Sequence, residues 1–290
     1  MRKISFEKEF KEKITIYCSL IRLNKPVGLL LLIWPCVFAV FMATHFDHNY
    51  LLVFKFIIGA FLMRSAGCII NDLVDLNIDK KVTRTKGRAL AAGLISRKEA
   101  MIVLGVLLAM SLLLLLTLKF KTIIVGLFFL IPVVLYPYMK RITFLPQVFL
   151  GFTFNLGVIL AFIETHGYVG LNGFIIYFAL SLWTISYDTI YGFLDKNDDM
   201  KIGVKSTAIL LDQQFYTYME FLNVLISLLL VLAGLQIQAN FVYFLMVIAS
   251  YLIFIWQKSR LDINDIKSCE LIFKSNIIVG FFLLIGAMNA

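Results

Sequence analysis

Charge is scarce in this sequence. Asp, Glu, Lys and Arg make up 16% of its 290 residues against 61% hydrophobic ones, and the mean hydropathy of +0.90 lies far outside the range of water-soluble domains. That shortage excludes a soluble globular chain and places the sequence among polytopic membrane proteins. Cysteine is scarce too: Cys18, Cys36, Cys68 and Cys269 share no paired spacing, and two lie in apolar runs, which argues against a disulfide framework or a zinc site. His45 and His48 are spaced like ligands on a helix but lie in a short loop far from the acidic residues. Neither GxxxxGK[ST] nor GxGxxG occurs, so nucleotide sites of those kinds are unsupported. In a soluble protein the net charge of +9 would suggest nucleic acid. Here it reads as Lys and Arg anchoring loops at a membrane surface, with the lipid bilayer as partner and no nucleic acid.

What is abundant is apolar sequence in long runs. Nine segments approach the roughly 20 residues that a helix needs to cross hydrocarbon: 27–44, 51–70, 99–117, 122–139, 145–163, 171–191, 215–234, 238–256 and 271–288. The fold class expected is therefore all-α, a single transmembrane domain over 1–290. Pro35, Pro132 and Pro137 fall inside spans, where kinks rather than ends are expected. Of the 27 Lys and Arg residues, 22 lie in the N-terminal segment and the loops after spans two, four, six and eight; the opposite side has only Lys119 and Lys121. The asymmetry predicts a cytoplasmic N-terminus. Residues 1–26 do not read as a secretory signal. Phe6, Phe10, Ile14, Tyr17 and Ile21 form a stripe opposite Lys8, Lys11 and Lys13, which fits an interfacial helix and equally a helix packed on loops. Glu164 and His166 fall on the outer side and read as solvated.

Two polar stretches interrupt the apolar sequence at the cytoplasmic ends of spans. The first, within the loop 71–98, begins NDLVDLNIDKKVTRTKGR at Asn71. A helix continuing past the surface would put Asp72, Asp75 and Asp79 on one face at i, i+3 and i+7, with Asn71 one turn before Asp75. The second, leading into the loop 192–214, has Asp188, Tyr191, Asp195 and Asp199 at i, i+3, i+7 and i+11. Either run alone reads as a solvated loop; two with matching spacing point to a shared site. Crowded carboxylates repel unless a cation sits among them, and a hard divalent ion, Mg²⁺ carrying waters and a substrate phosphate, would relieve that repulsion.

Cations accompany them. Arg64 lies seven residues before Asn71, about 10 Å deeper at about 1.5 Å per residue. An arginine at that depth needs a cavity or a partner. It is either glue for a buried acid or a bidentate holder of a substrate carboxylate. Lys140 and Arg141 in YPYMKR, together with Arg84 and Arg88, lie in the plane of the acids and read as diphosphate clamps or as plain membrane anchors. Acids, cations and a cavity between apolar helices suit a departing diphosphate. If that diphosphate sits on an allylic isoprenoid, its departure leaves a delocalised cation for an electron-rich partner to capture.

NDLVDLNID resembles the first aspartate-rich motif, NDxxDxxxD, of the UbiA superfamily of intramembrane prenyltransferases, and DKNDD at Asp195–Asp199 resembles its second, DxxxD. LNKPVGLLLLIWP, LMRSAGCIINDLVD, YPYMKRITFLPQ and YDTIYGFLDKNDDMKIGVKSTAIL resemble the 4-hydroxybenzoate polyprenyltransferase branch, in order over about residues 20–210. The resemblance implies nine helices around a central cavity, with Mg²⁺ and polyprenyl diphosphate at its cytoplasmic mouth. By similarity Asp75, Asp79, Asp195 and Asp199 hold the metals, with Asp72 beside them. Asn71, Arg84, Arg88 and Lys140 contact the diphosphate or its metals, and Arg64 holds the carboxylate of 4-hydroxybenzoate. The implied product is a ubiquinone precursor prenylated ortho to the phenol. Tyr187 or Tyr191 would face the cation, and Asp75 is a candidate proton acceptor. One departure stands out: RPLPSG is replaced by Arg88-Ala89-Leu90-Ala91-Ala92-Gly93, and loss of both prolines predicts a looser loop. Haem, homogentisate or a dihydroxynaphthoate remain alternative acceptors, and a cation transporter remains an alternative class, although transporter sites lie nearer the midplane. No arginine-rich, acid-poor presequence is visible, which favours a bacterial inner membrane over a mitochondrial one. No obligate protein partner is expected.

Overall fold

Long runs of Leu, Ile, Val and Phe can enter lipid only where every backbone polar group is satisfied within the segment, which the α-helix does. The computed structural model describes residues 2–45 and 49–290, with side chains from residue 11 onward, and every regular element among them is helical. His48 and the side chains of Phe6, Lys8 and Phe10 lie outside the described residues. After α1 (Arg2–Leu20) come nine helices long and apolar enough to span a membrane: α2 (Val27–Thr44), α3 (Tyr50–Val74), α4 (Arg97–Leu115), α5 (Phe120–Ile142), α6 (Pro146–His166), α7 (Leu171–Phe193), α8 (Thr207–Gln236), α9 (Phe241–Arg260) and α10 (Ile266–Met288). The protein is a multi-pass membrane protein, and the nine expected segments map onto these helices one for one.

The helices close a ring, each packing on its neighbour in chain order and α10 returning to α2. α2 also packs on α6, and α7 on α10, so these contacts fill the middle. Burial follows: 61% of α2 and 67% of α7 are buried within the protein, against 11% of α4 and of α5. The latter two offer most of their surface to lipid. In α7, Trp183 is buried and its Nε1 donates to Asn276 Oδ1 at 2.8 Å, satisfying a polar pair that lipid could not.

None of the three prolines ends a span. α2 runs on through Pro35. α5 breaks at Phe129, three residues before Pro132, and tightens into a 3₁₀ turn at Tyr136–Tyr138 around Pro137. Each proline lacks the N–H that would continue the ladder.

α1 docks by its end. Leu20 is fully buried in a cluster with Leu62, Ile69, Ala89 and Leu90, while Ile14 and Tyr17 stay exposed. The helix thus packs on the 71–98 loop and keeps an apolar strip outward. On the opposite side Glu164 is not a solvated acid: its Oε2 accepts from Lys119 N at 2.8 Å and Thr122 Oγ1 at 2.7 Å, capping the start of α5. Helix starts leave N–H groups without partners, and this carboxylate satisfies one.

Candidate active site

Both acid-bearing helices break at the same point of their pattern. α3 ends at Val74, Asp75 adopts φ −94° and ψ 8°, and a turn at Leu76–Asp79 follows. α7 ends at Phe193, Asp195 adopts φ −110° and ψ −2°, and a short helix at Lys196–Ile202 follows. These angles lie in or beside the sparsely populated bridge region. The break corrects the expectation of one continuous helix with three aspartates on a single face. Asp72 and Asp79 do share a face, since Arg88 Nη1 lies 3.1 Å from Asp72 Oδ1 and 2.7 Å from Asp79 Oδ2. Asp75 turns elsewhere: fully buried, it meets Lys140 Nζ at 2.5 Å and Arg141 Nη2 at 3.0 Å.

The two loops are joined. Arg84 grips both oxygens of Asp195, with Nε 2.7 Å from Oδ1, and also donates to the Tyr191 hydroxyl. Thr83 N donates to Asp198 Oδ2 at 2.8 Å, and Lys205 N to Lys140 O at 3.0 Å. Both acidic stretches therefore open on one side of the helix bundle, into one cavity of about 1390 Å³. Asn71, Asp72, Asp79, Asp195 and Asp199 line it, as do Arg64, Arg84, Arg88 and Lys140. Asp75 and Arg141 do not; they stand behind the wall, Arg141 also donating to the Val74 and Pro137 carbonyls.

Electrostatics divides these groups. Burial opposes charge on Arg84, but its hydrogen bond to Asp195 together with the charges of Tyr191, Asp195 and Asp79 more than offsets that and raises its pKa. Burial lifts Asp75 above the usual carboxylate range, with Lys140 pulling the other way. The Asp199 carboxylate makes no hydrogen bond or ion pair among the described residues, and burial followed by the Asp195 charge pushes it up to about 7. Lys140 and Arg84 pull the other way but do not outweigh burial.

Two cations escaped the sequence reading. Arg22 holds left-handed backbone at φ 60° and donates to both oxygens of buried Asp72, at 2.6 and 2.7 Å. Lys25 lines the cavity, where burial and then the charges of Arg84, Arg22 and Arg88 lower its pKa. The available signal was their place, within five residues of the first span and on the side of the acids. The loop without prolines is not loose: Ala89 and Leu90 are buried, Ala92 N donates to Arg88 O at 2.8 Å, and Gly93 turns at φ +73°. Apolar packing does there what the prolines would have done, and it fixes Arg88.

Deeper in the cavity, Arg64 has no carboxylate within ion-pair distance among the described residues, and its buried Nε lacks a partner. Its guanidinium sits 5.5 Å from the Phe154 ring. A glue role is thereby excluded. Gly28 makes room for it, since a Cβ there would fall 2.8 Å from Nη2. Tyr187 is buried, edge-on to Trp183 and Phe273. The Tyr191 ring has Arg84 4.5 Å over it and Phe273 at 4.5 Å, so that face is already taken by a cation. Leu112, Leu115 and Leu127, from α4 and α5, give part of the remaining wall. Such a cavity can hold an anion at its mouth, a carboxylate at Arg64 and an apolar tail along leucines.

A model of the UbiA prenyltransferase family matches residues 32–285. The chain is 36% identical over 274 residues to the 4-hydroxybenzoate octaprenyltransferase of Aliivibrio fischeri, covering 94% of this chain and 96% of that protein. To the 4-hydroxybenzoate octaprenyltransferase of Colwellia psychrerythraea it is 38% identical over 279 residues, covering 96% and 97%. The apo structure of a UbiA homolog from Aeropyrum pernix K1 matches with a TM-score of 0.78 at 19% identity, over 90% of this chain and 97% of that one. A UbiA homolog from Archaeoglobus fulgidus bound to DMAPP and Mg²⁺ matches at 0.68 and 20% identity, over 92% and 98%. Structural likeness at such identity carries the fold alone; the sequence matches carry more, because they run through both acidic turns and nearly the whole chain. The chain belongs to the UbiA prenyltransferase family.

Proposed function

We propose that this protein transfers a polyprenyl group from polyprenyl diphosphate to the carbon ortho to the hydroxyl of 4-hydroxybenzoate, releasing diphosphate, as a step of ubiquinone biosynthesis. The setting we propose is a bacterial inner membrane, with the N-terminus cytoplasmic. One observation carries the reading: a single cavity joins an acidic and basic mouth to an arginine that has no protein anion. A buried cation without a partner is costly, and a substrate carboxylate would offset that cost with a bidentate pair. The names of the relatives, which cover nearly the whole chain, support the same acceptor.

The residues fit a divalent metal in kind. Asp79, Asp195 and Asp199 offer hard oxygens at the mouth, and the Asp199 carboxylate forms no ion pair among the described residues. No three carboxylate, His or Cys side chains among the described residues converge on one cation position, because Arg84 and Arg88 occupy Asp195 and Asp79. Mg²⁺ suits that arrangement, since it binds through one or two carboxylates and takes its other ligands from water and substrate phosphate. When bound, it would neutralise charge developing on the leaving diphosphate. Arg84, Arg88, Lys140 and Lys25 ring the same mouth and clamp the diphosphate. Asp75, withdrawn from the wall, acts by holding Lys140 in place. Tyr187 offers the cation a ring in a dry environment.

The test is direct. Detergent-purified protein with Mg²⁺, a set of polyprenyl diphosphates and 4-hydroxybenzoate is expected to give the prenylated acid by mass spectrometry. Prenylation of homogentisate or a dihydroxynaphthoate without that product would overturn the acceptor. Absence of any product would overturn the enzyme reading, whereas turnover without a gradient excludes a carrier.

A further inference from the structure

Joining an allylic carbon to an aromatic ring obliges the ring to lose a proton, and a group within reach must accept it. That group needs a free carboxylate or amine facing the acceptor. The cavity wall holds six acids, Asp72, Asp79, Asp188, Asp195, Asp199 and Glu270. Asp72 and Asp79 are held by Arg22 and Arg88, Asp195 by Arg84, and Glu270 by Lys274 at 2.7 Å. Asp199 is free but stands at the mouth with the diphosphate clamps, and so does the amine of Lys25. Asp75, the sequence-based candidate for the proton, is behind the wall between Lys140 and Arg141.

Asp188 remains. It lines the cavity, and its carboxylate makes no hydrogen bond or ion pair among the described residues. It sits seven residues before Asp195, as Arg64 sits seven before Asn71. Each is therefore about 10 Å below its motif, on the same face of its helix. The charges acting on Asp188 are those of Arg64 first and Arg84 second, and its own charge acts on the phenols of Tyr136 and Tyr187. Arg64 and Asp188 look into the same level of the cavity from α3 and α7 without pairing. A carboxylate kept unpaired at that depth is expensive.

We infer that Asp188 is the base of the reaction, taking the ring proton from the carbon that has just been prenylated; this rests on the aromatic transfer proposed above. The allylic C–O bond breaks and its electron pair leaves with diphosphate. A π pair of the ring forms the new C–C bond at the carbon ortho to the hydroxyl. The C–H bond there then breaks, its pair restoring the aromatic ring and its proton passing to an Asp188 carboxylate oxygen. From Asp188 the proton moves to the released diphosphate, which regenerates the carboxylate.

The test compares wild type with Asp188→Asn and Asp188→Glu, using Mg²⁺, polyprenyl diphosphate and 4-hydroxybenzoate deuterated at both positions ortho to the hydroxyl. Asp188→Asn is expected to lower kcat by about 10²- to 10⁴-fold while KM for either substrate changes by less than about threefold. The deuterium effect on kcat, small in wild type, is expected to grow in both variants as proton removal becomes slow. Asp188→Glu keeps a carboxylate and is expected to retain more turnover than Asn, which gives a reading if the Asn variant does not fold. Two results would overturn the inference: variant turnover within about threefold of wild type, or a loss expressed in KM for the acid with no deuterium effect. Wild-type product with an active Asp188→Asn sinks this role alone; no wild-type product sinks the reading it rests on.

Discussion

The two acidic turns share a motif, a four-residue spacing and a helix break, yet their carboxylates keep different company. In the first turn Asp75 is fully buried against Lys140 and Arg141, and Asp79 is held by Arg88. In the second, Asp195 is gripped by Arg84 from the first loop, but Asp199 and the deeper Asp188 are free. Equal spacing has produced unequal states. The first turn is finished as a structure, and it exports Arg84 to organise the second. The second keeps carboxylates in reserve, and a cavity that must receive a metal and a proton needs such a reserve.

The largest expected effects fall on the second turn. Asp195→Asn and Asp199→Asn each remove charge where a metal and diphosphate would meet, and turnover is expected to fall by about 10²- to 10³-fold; Asp199→Asn should leave the melting temperature in detergent unchanged, whereas Asp195→Asn also breaks the Arg84 pair and should lower it. Chelation of divalent ions should match them. An Asp199→Asn enzyme with full turnover would erase the distinction between the turns.

Arg64→Ala comes next. A charge-assisted hydrogen bond contributes about 1.5–3 kcal/mol, so KM for 4-hydroxybenzoate should rise by about 10- to 100-fold with KM for the diphosphate little changed. Because Arg64 has no protein anion to strand, its removal should not destabilise the fold. A reversed KM pattern would remove Arg64 from the acceptor site.

On the first turn the comparison predicts a stability effect. Arg22→Ala leaves Asp72, 1% exposed, with Arg88 as its one cation. Loss of this pair should cost about 2 kcal/mol, read as a lower melting temperature. Adding Asp72→Asn should recover part of it, since a neutral amide is cheaper to bury than a poorly paired carboxylate. Additive losses would contradict the view that Asp72 is held there by charge.

The nine spans were legible because lipid demands apolar length and internal hydrogen bonding, both local properties. The shared mouth was legible because two motifs of matching spacing left spans on the same side. Which carboxylates are free was not, since that depends on partners distant in the chain. Arg22 is 50 residues from Asp72, Arg141 is 66 from Asp75, and Arg84 is 111 from Asp195. The helix break at Asp75 accompanies those pairings, with Lys140 and Arg141 both on the Asp75 carboxylate. Loop rigidity was misread for a similar reason. Prolines can be counted in a sequence, whereas burial of Ala89 and Leu90 against Leu20 exists only once the chain is folded.

The smallest effect expected is also the sharpest test of Arg64. Gly28→Ala adds one methyl group whose ideal position lies 2.8 Å from Arg64 Nη2, closer than real contacts allow. The backbone of α2 does not require glycine there, and alanine favours a helix by about 1 kcal/mol, so the fold should be as stable or slightly more so. What must give is the end of a flexible side chain. The guanidinium would shift within the cavity and lose alignment with a carboxylate that needs both of its donors. KM for the acid should rise by about threefold to tenfold, with kcat and KM for the diphosphate nearly unchanged. An unaltered KM would mean that Arg64 binds the acid from a position other than the one seen, or does not bind it. A lower kcat at constant KM would instead place Arg64 with the transition state, nearer the reacting carbon than its depth suggests.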